Sequence, residues 1–262
     1  MEILRDHLKE LENTSICSIG GGTINDLAKL ASGELGRQYM NVCSAASVDG
    51  YAAFGASIAR DGFKITRDCP APQALVADNA VMAAAPARLT YTGNGDLIEK
   101  IPAGADWMHA DEMGIEPIDD YVWSLVQGPL RESLAHPVEL AAGDLKAIEL
   151  LGEGQIMSGL AMQAAKSSRP ASGAGHQFSH VWEMEGHGLD WEPPLSHGMK
   201  VGVGTIASLA MWELFLKMEP EDFDIDHALA SVKSPEYIEN RVRSMLIPRI
   251  QDEAVKHSLF KR

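Results

Sequence analysis

Apolar positions open the chain at helical spacing, with Ile3, Leu4, Leu8 and Leu11 recurring on one face, and then give way to a short β-prone run at residues 15–19. That run meets Gly20-Gly21-Gly22-Thr23 and is followed by residues 24–31, whose apolar spacing predicts a helix. Strand, glycine turn and helix form the repeating unit of an α/β nucleotide-binding sheet. A second strand is expected over residues 39–43, ending in the small and polar loop Ser44-Ala45-Ala46-Ser47-Val48-Asp49-Gly50. In open α/β sheets the C-terminal strand ends form the ligand-binding edge. Residues 52–66 predict a hairpin around Arg60-Asp61-Gly62, and residues 74–77 a further short strand. After Asp78 the strand signals fade, and residues 138–165, 174–185, 197–217 and the stretch from Pro235 onward carry apolar residues at helical period. Residues 148–165 are apolar nearly all round, as in a helix buried at the centre of its domain. The pattern therefore predicts an α/β part over residues 1–85 and an all-helical part over residues 86–262.

Composition narrows the choice of partners. The 262 residues carry 22 Lys+Arg against 37 Asp+Glu, a formal charge of −15 and a pI near 4.9. Nucleic acid and anionic membrane surfaces are bound by clustered cations, so neither is expected as a partner. Three cysteines, Cys17, Cys43 and Cys69, are an odd number without a C-x-x-C pair, which argues against a disulfide framework and a thiolate metal site. The opening MEILRDHLKELEN lacks the basic-then-apolar order of a secretory signal, and no apolar run reaches the roughly 18 residues of a spanning helix. A cytoplasmic protein is expected.

Three consecutive glycines let the backbone approach a phosphate closely, and the helix that follows offers unpaired N–H groups. The turn fits neither G-x-G-x-x-G nor G-x-x-x-x-G-K-[ST], so it stands between a phosphate cradle and a purely structural turn. Asp96, His176 and His197 could hold a tetrahedral divalent ion with one position open, as a catalytic site requires. The histidines lie 21 residues apart, enough for facing positions on two antiparallel helices joined through Pro193-Pro194. With nine histidines in the chain, each could instead cap a helix or bond a carbonyl. His180 follows His176 by one turn and is either a further ligand or a neighbour of the substrate. Asp49 could bond a substrate hydroxyl or make an Asx turn before Gly50. Lys64 could meet a phosphate, and Trp107 and Trp182 read as core residues.

Six segments in order carry a resemblance: residues 20–29 (GGGTINDLAK), 44–51 (SAASVDGY), 93–100 (GNGDLIEK), Asp106-Trp107, 175–183 (GHQFSHVWE) and 197–202 (HGMKVG). Together they resemble the sn-glycerol-1-phosphate dehydrogenases of the iron-containing alcohol dehydrogenase and dehydroquinate synthase-like superfamily. The resemblance implies a partial Rossmann-like nucleotide-binding domain followed by a helical metal-binding domain. It implies NAD- or NADP-dependent, metal-dependent hydride transfer between dihydroxyacetone phosphate and sn-glycerol 1-phosphate. On the matched motifs, Asp96, His176 and His197 take the place of the family's metal ligands, usually for zinc. Gly21, Gly22 and Thr23 match the pyrophosphate turn, Asp26 joins the cofactor-binding set, and Ser44 and Ser47 match contacts near the nicotinamide. Asp49 matches a substrate-hydroxyl contact, with Lys64 and His180 close to the substrate. A phosphorylated polyol or ketose and a homo-oligomeric assembly are the implied partners, and Lys64, Arg67, Lys100 and Lys200 are the cations available to a phosphate.

Members of this family begin with strand and helix units that hold the adenosine half of the cofactor, and none precedes Ser15. The N-terminal strands are therefore expected to be absent from this chain, leaving an uncovered strand edge. Two other readings share the motifs: a shortened, non-catalytic metal-binding paralogue, and a related glycerol dehydrogenase or dehydroquinate synthase-like enzyme.

Overall fold

The structure is a computed structural model and describes residues 2–11, 13–60 and 63–260. Helix α1 (Glu2–Glu10) leads into β1 (Ile16–Gly20), α2 (Gly22–Glu34) and β2 (Tyr39–Cys43). The strands β3 (Ala56–Arg60) and β4 (Phe63–Arg67) follow, then β5 (Ala74–Ala77). Every later element among the described residues is helical: α3 (Asn79–Ala83), α4 (Ala87–Ile98), α5 (Lys100–Glu112), α6 (Asp120–Ser133), α7 (Pro137–Ala141), α8 (Leu145–Ala165), α9 (Ala174–Glu185), α10 (His197–Phe215), α11 (Ile225–Ala230), α12 (Pro235–Met245) and α13 (Gln251–Phe260), with single 3-10 turns between some of them.

The sheet is three-stranded and parallel in the order β1-β2-β5, with Ile16 opposite Tyr39 and Met40 opposite Ala74. Helix α2 makes the crossover that parallel neighbours require. As the central strand, β2 buries Tyr39, Asn41 and Cys43 in alternation, and Ser18 of β1 satisfies the buried Asn41 Oδ1 through a 2.6 Å hydrogen bond. The hairpin β3–β4 is a separate antiparallel pair, and the expected apex at Asp61-Gly62 lies outside the described residues. One face of α2 is buried yet polar. Lys29 donates to the carbonyls of Gly50 and Gly55, and Asn25 to that of Gly50, so the helix holds the loop after β2 against the start of the hairpin. This satisfies carbonyls that would otherwise be buried without partners.

Helix α8 runs through the middle of the helical part and shares a core with the loop after β2: Cys43, Ala46, Tyr51, Leu97, Leu130, Ile148 and Leu151 form one buried cluster. The expected continuous segment at residues 138–165 is in fact two helices. Gly143 adopts φ +77° and Asp144 caps α8 through the Ala147 N–H, so the chain turns between α7 and α8. The helices at residues 79–133, which the periodic pattern did not pick out, include α4 and α5, the carriers of Asp96, Lys100 and Asp106.

Close backbone approaches fix how these helices cross. A Cβ on Gly198 would lie 1.9 Å from the carbonyl oxygen of Thr92, and one on Gly204 would lie 2.3 Å from that of Gly175. Thus α10 presses directly on α4 and α9, and any side chain there would drive the helices apart. The Gly198→Ala variant should therefore lose about 1–3 kcal/mol or more of folding stability by urea unfolding, in the range of overpacked cores; wild-type stability would show that the crossing has slack.

Candidate metal centre and cleft

Asp96 sits in the last turn of α4, His176 in the first turn of α9 and His197 at the start of α10. One ligand atom from each lies within 4.8 Å of the others. Asp96 and His176 are buried, while the His197 side chain keeps 29% of its surface exposed. Some of the atoms around them have hydrogen-bond partners and others do not. Asp96 Oδ2 accepts from the Asp49 N–H at 3.0 Å, whereas Oδ1 is buried without a hydrogen-bond partner, 3.3 Å from His176 Nε2. His176 Nδ1 lies 3.0 Å from Glu99 Oε2, and His197 Nδ1 is hydrogen-bonded to Glu183 Oε1 at 2.6 Å. Both imidazoles thus turn Nδ1 to a carboxylate and keep Nε2 for a ligand, the arrangement usual for metal-bound histidine. With an orphaned carboxylate oxygen facing them, the donors present fit a divalent cation.

A fully buried lysine stands behind the cluster. Lys100 Nζ is 2.8 Å from Asp49 Oδ2 and 3.6 Å from Asp96 Oδ1, and it donates to the Asp96 carbonyl at 2.8 Å. Ser158 of α8 donates to the same Asp49 oxygen. Burial acts to raise the Asp96 pKa, but Lys100 and the imidazoles of His176 and His197 hold it well below the usual carboxylate range. For Asp49, burial and then the Asp96 charge push upward against Lys100. Burial works to lower the His176 pKa, yet Asp96 and Glu99 raise it to about 9. His180 is not in the three-residue cluster. Its ring centroid is 6.0 Å from those of His176 and His197, and burial followed by the Lys64 charge pushes its pKa down to about 3, so it is neutral near pH 7.

The cluster opens on a cleft of about 720 Å³ between the sheet's C-terminal edge, the hairpin and the helices. The structure brings Gly21, Gly22, Thr23, Asp26, Ser44, Ser47, Asp49, Lys64, His176, His180 and His197 to this one cleft, with Asp96 directly behind. At its far end the first turn of α2 has no side-chain cap, and the Cβ position of Gly21 meets nothing nearer than Ser47 Oγ at 3.9 Å. An anion could approach those N–H groups closely. Within the lining, Asp26 lies 3.6 Å from Lys29, and Ser47 Oγ is 3.0 Å from the Tyr51 hydroxyl. Lys64 is 2.7 Å from Glu183.

The four cations proposed for a phosphate separate on inspection. Lys100 is fully enclosed and spent on Asp49 and Asp96, so it cannot meet a ligand phosphate. Arg67 pairs with Glu34 at 3.6 Å and is not among the cleft-lining residues. Lys200 is buried beside a second groove walled by Trp182 and Trp191. Of these four only Lys64 lines the main cleft; Lys29, which also borders it, is spent on the Gly50 and Gly55 carbonyls. Trp107 is a core residue as expected, whereas Trp182 is half-buried and stacks on Phe178.

Three carboxylates, Glu99, Asp106 and Glu183, lie within the matched segments but had no role in the sequence reading. Glu99 also accepts from the Gly173 N–H, and Asp106 accepts from the Ala174 N–H and from Trp212 Nε1, so both fix the start of α9 and with it His176. Glu183 follows His176 by seven residues, two helical turns, and His180 falls between them on the same face. That spacing was the available signal.

Comparison with known proteins places the chain. Residues 1–86 match the family model described as iron-containing alcohol dehydrogenase. The chain is 37% identical over 212 residues to the glycerol-1-phosphate dehydrogenase (NAD(P)+) of Halalkalibacterium halodurans, covering 81% of this chain and 53% of that protein. It is 32% identical over 266 residues to the enzyme of the same name from Geobacillus thermodenitrificans, covering 94% and 64%. The chain thus spans between half and two thirds of the length of these relatives. Among solved structures it resembles a glycerol dehydrogenase from Schizosaccharomyces pombe (TM-score 0.65, 20% identity, 98% of this chain and 73% of that one) and a 2-deoxy-scyllo-inosose synthase (TM-score 0.55, 15% identity, 84% and 57%). At those identities the likeness is one of fold.

The geometry predicts about one tightly held divalent ion per chain, as three ligands around one centre allow. Asp96→Asn and His197→Ala should each reduce the metal retained after gel filtration to background, and retention equal to wild type in both would rule out these ligands.

Proposed function

The chain belongs to the glycerol-1-phosphate dehydrogenase family of iron-containing alcohol dehydrogenases, and from that membership we propose that it carries the catalytic centre of an NAD(P)-dependent interconversion of dihydroxyacetone phosphate and sn-glycerol 1-phosphate. The observation that supports this most directly is the continuity of the cleft from the glycine turn at Gly21 and Gly22 to Asp96, His176 and His197. A nicotinamide held at the glycine turn would supply hydride exchange at the substrate's C2, and a divalent ion held by Asp96, His176 and His197, zinc in this reading, would supply Lewis acidity at the C2 oxygen.

The chain's own residues have assigned tasks around that centre. Gly21, Gly22 and Thr23 receive the cofactor's pyrophosphate at the uncapped start of α2. Ser44, Ser47 and Asp26 line the approach to the nicotinamide. Asp96, His176 and His197 hold the ion. Asp49, fixed on one oxygen by Lys100 and Ser158, holds a substrate hydroxyl with the rest of its carboxylate. Lys64 is the cleft cation that meets the phosphate, and His180, neutral near pH 7, accepts or donates one hydrogen bond without adding charge. The enclosure of these groups excludes water and aligns the two carbons between which hydride passes. A homo-oligomeric, cytoplasmic enzyme fits this reading.

Among the described residues no helix is long and apolar enough to cross a membrane. The decisive test is titration of NADH and NADPH by fluorescence, followed by reduction of dihydroxyacetone phosphate. Saturable micromolar binding of one or both is expected. It should weaken in Gly22→Val, whose side chain starts 3.0 Å from Val48 Cγ1 and leads into the cleft. Absence of binding to either nucleotide would leave the chain a metal-binding module without this activity.

A further inference from the structure

Glu183 lies on α9 with its side chain 19% exposed, and it spends both oxygens on different partners. Oε1 is 2.6 Å from Nδ1 of His197 on α10, and Oε2 is 2.7 Å from Nζ of Lys64 on β4. No other carboxylate among the described residues lies within ion-pair reach of both a cluster histidine and a cleft-lining lysine. We infer that Glu183 is a positioning residue serving two sites: it orients His197 toward the ion and, with its second oxygen, fixes the β3–β4 hairpin and Lys64 over the same cleft.

The carboxylate acts through the imidazole. A neutral histidine has one N–H and one lone pair, and a carboxylate at 2.6 Å from Nδ1 selects the tautomer with the proton there, leaving the lone pair on Nε2. It also stops the ring from rotating, which matters more for His197 than for His176 because His197 is the more exposed of the two. The second contact ties a strand of the α/β part to the same side chain. Whatever displaces Glu183 therefore loosens a candidate metal ligand and the hairpin together.

This inference rests on the metal reading, and the test separates the two. Zinc affinity is measured on the full chain by competition with a chromophoric chelator, alongside the visible spectrum of the cobalt-loaded protein and hydrogen exchange across residues 56–60 and 63–67. Removing such an outer carboxylate weakens metal binding by roughly 10- to 100-fold, so Glu183→Gln should do so, shift the cobalt bands and speed exchange in the hairpin. Glu213→Gln removes an exposed carboxylate on α10 paired with Lys217 and controls for net charge; it should change none of the three. Lys64→Met should speed hairpin exchange while keeping zinc affinity, since Glu183 remains charged beside His197. Glu183→Asp keeps the charge and withdraws the oxygens, so it should weaken zinc binding even if Glu183→Gln does not fold. If His197→Ala loses zinc but Glu183→Gln and Glu183→Asp bind as wild type, the positioning role is overturned and the metal site stands. If His197→Ala also binds as wild type, the metal reading itself fails.

Discussion

A single buried ammonium group ties the two halves of this chain together. Lys100, fully enclosed, contacts Asp49 from the loop that ends β2 and Asp96 from the preceding helix. Two carboxylates brought this close in a low-dielectric interior repel strongly, and without a cation between them one would have to take up a proton. The lysine opposes that protonation, drawing the Asp96 pKa down and working against the rise at Asp49, and it does so at the seam where the loop from the sheet meets α4 and α8. The position of Asp49, the direction of Asp96 and the closeness of the cleft to the ligand cluster all follow from this contact. Burying such a group is costly, and the hydrogen bonds from the Asp49 N–H, from Ser158 and to the Asp96 carbonyl offset the lost hydration.

The glycines do the complementary work. Charge places side chains to within a hydrogen bond, but only if the helices that carry them can come close enough. At Gly198 and Gly204 the α10 backbone touches α4 and α9 with no side chain between. The segment HGMKVGVG therefore combines a candidate ligand with the spacing that lets this ligand reach the other two.

How much of this could be read beforehand depends on the range of the interactions. The parallel strands, the glycine turn and α9 follow from local periodicity, and the strands at residues 39–43 and 74–77 lie where the pattern put them. The motif order carried the family and the fold class, and it brought Asp96, His176 and His197 forward as one set. The break between α7 and α8 was missed because apolar period continues across Gly143, and only its positive φ turns the chain. Helices α4 and α5 were passed over because their buried faces are partly polar: Thr92, Asp96 and Lys100 do not register as a hydrophobic stripe, whereas α6 was missed although Val122, Val126 and Leu130 form one. Lys100 illustrates the limit. In sequence it is one cation among four, and only three-dimensional neighbours show that it faces two acids and no solvent.

The excess of acid around the ligand cluster has a consequence for ionic selection. The carboxyl groups of Asp49, Asp96, Glu99 and Glu183 surround it, with the ammonium groups of Lys64 and Lys100 beside them. A doubly charged cation would offset more of that acid than a singly charged one. Without such an ion, His176, with its pKa raised to about 9, supplies positive charge as a proton. At the proposed site metal and proton would thus compete for one place, and an ion entering it would expel a proton into the solvent.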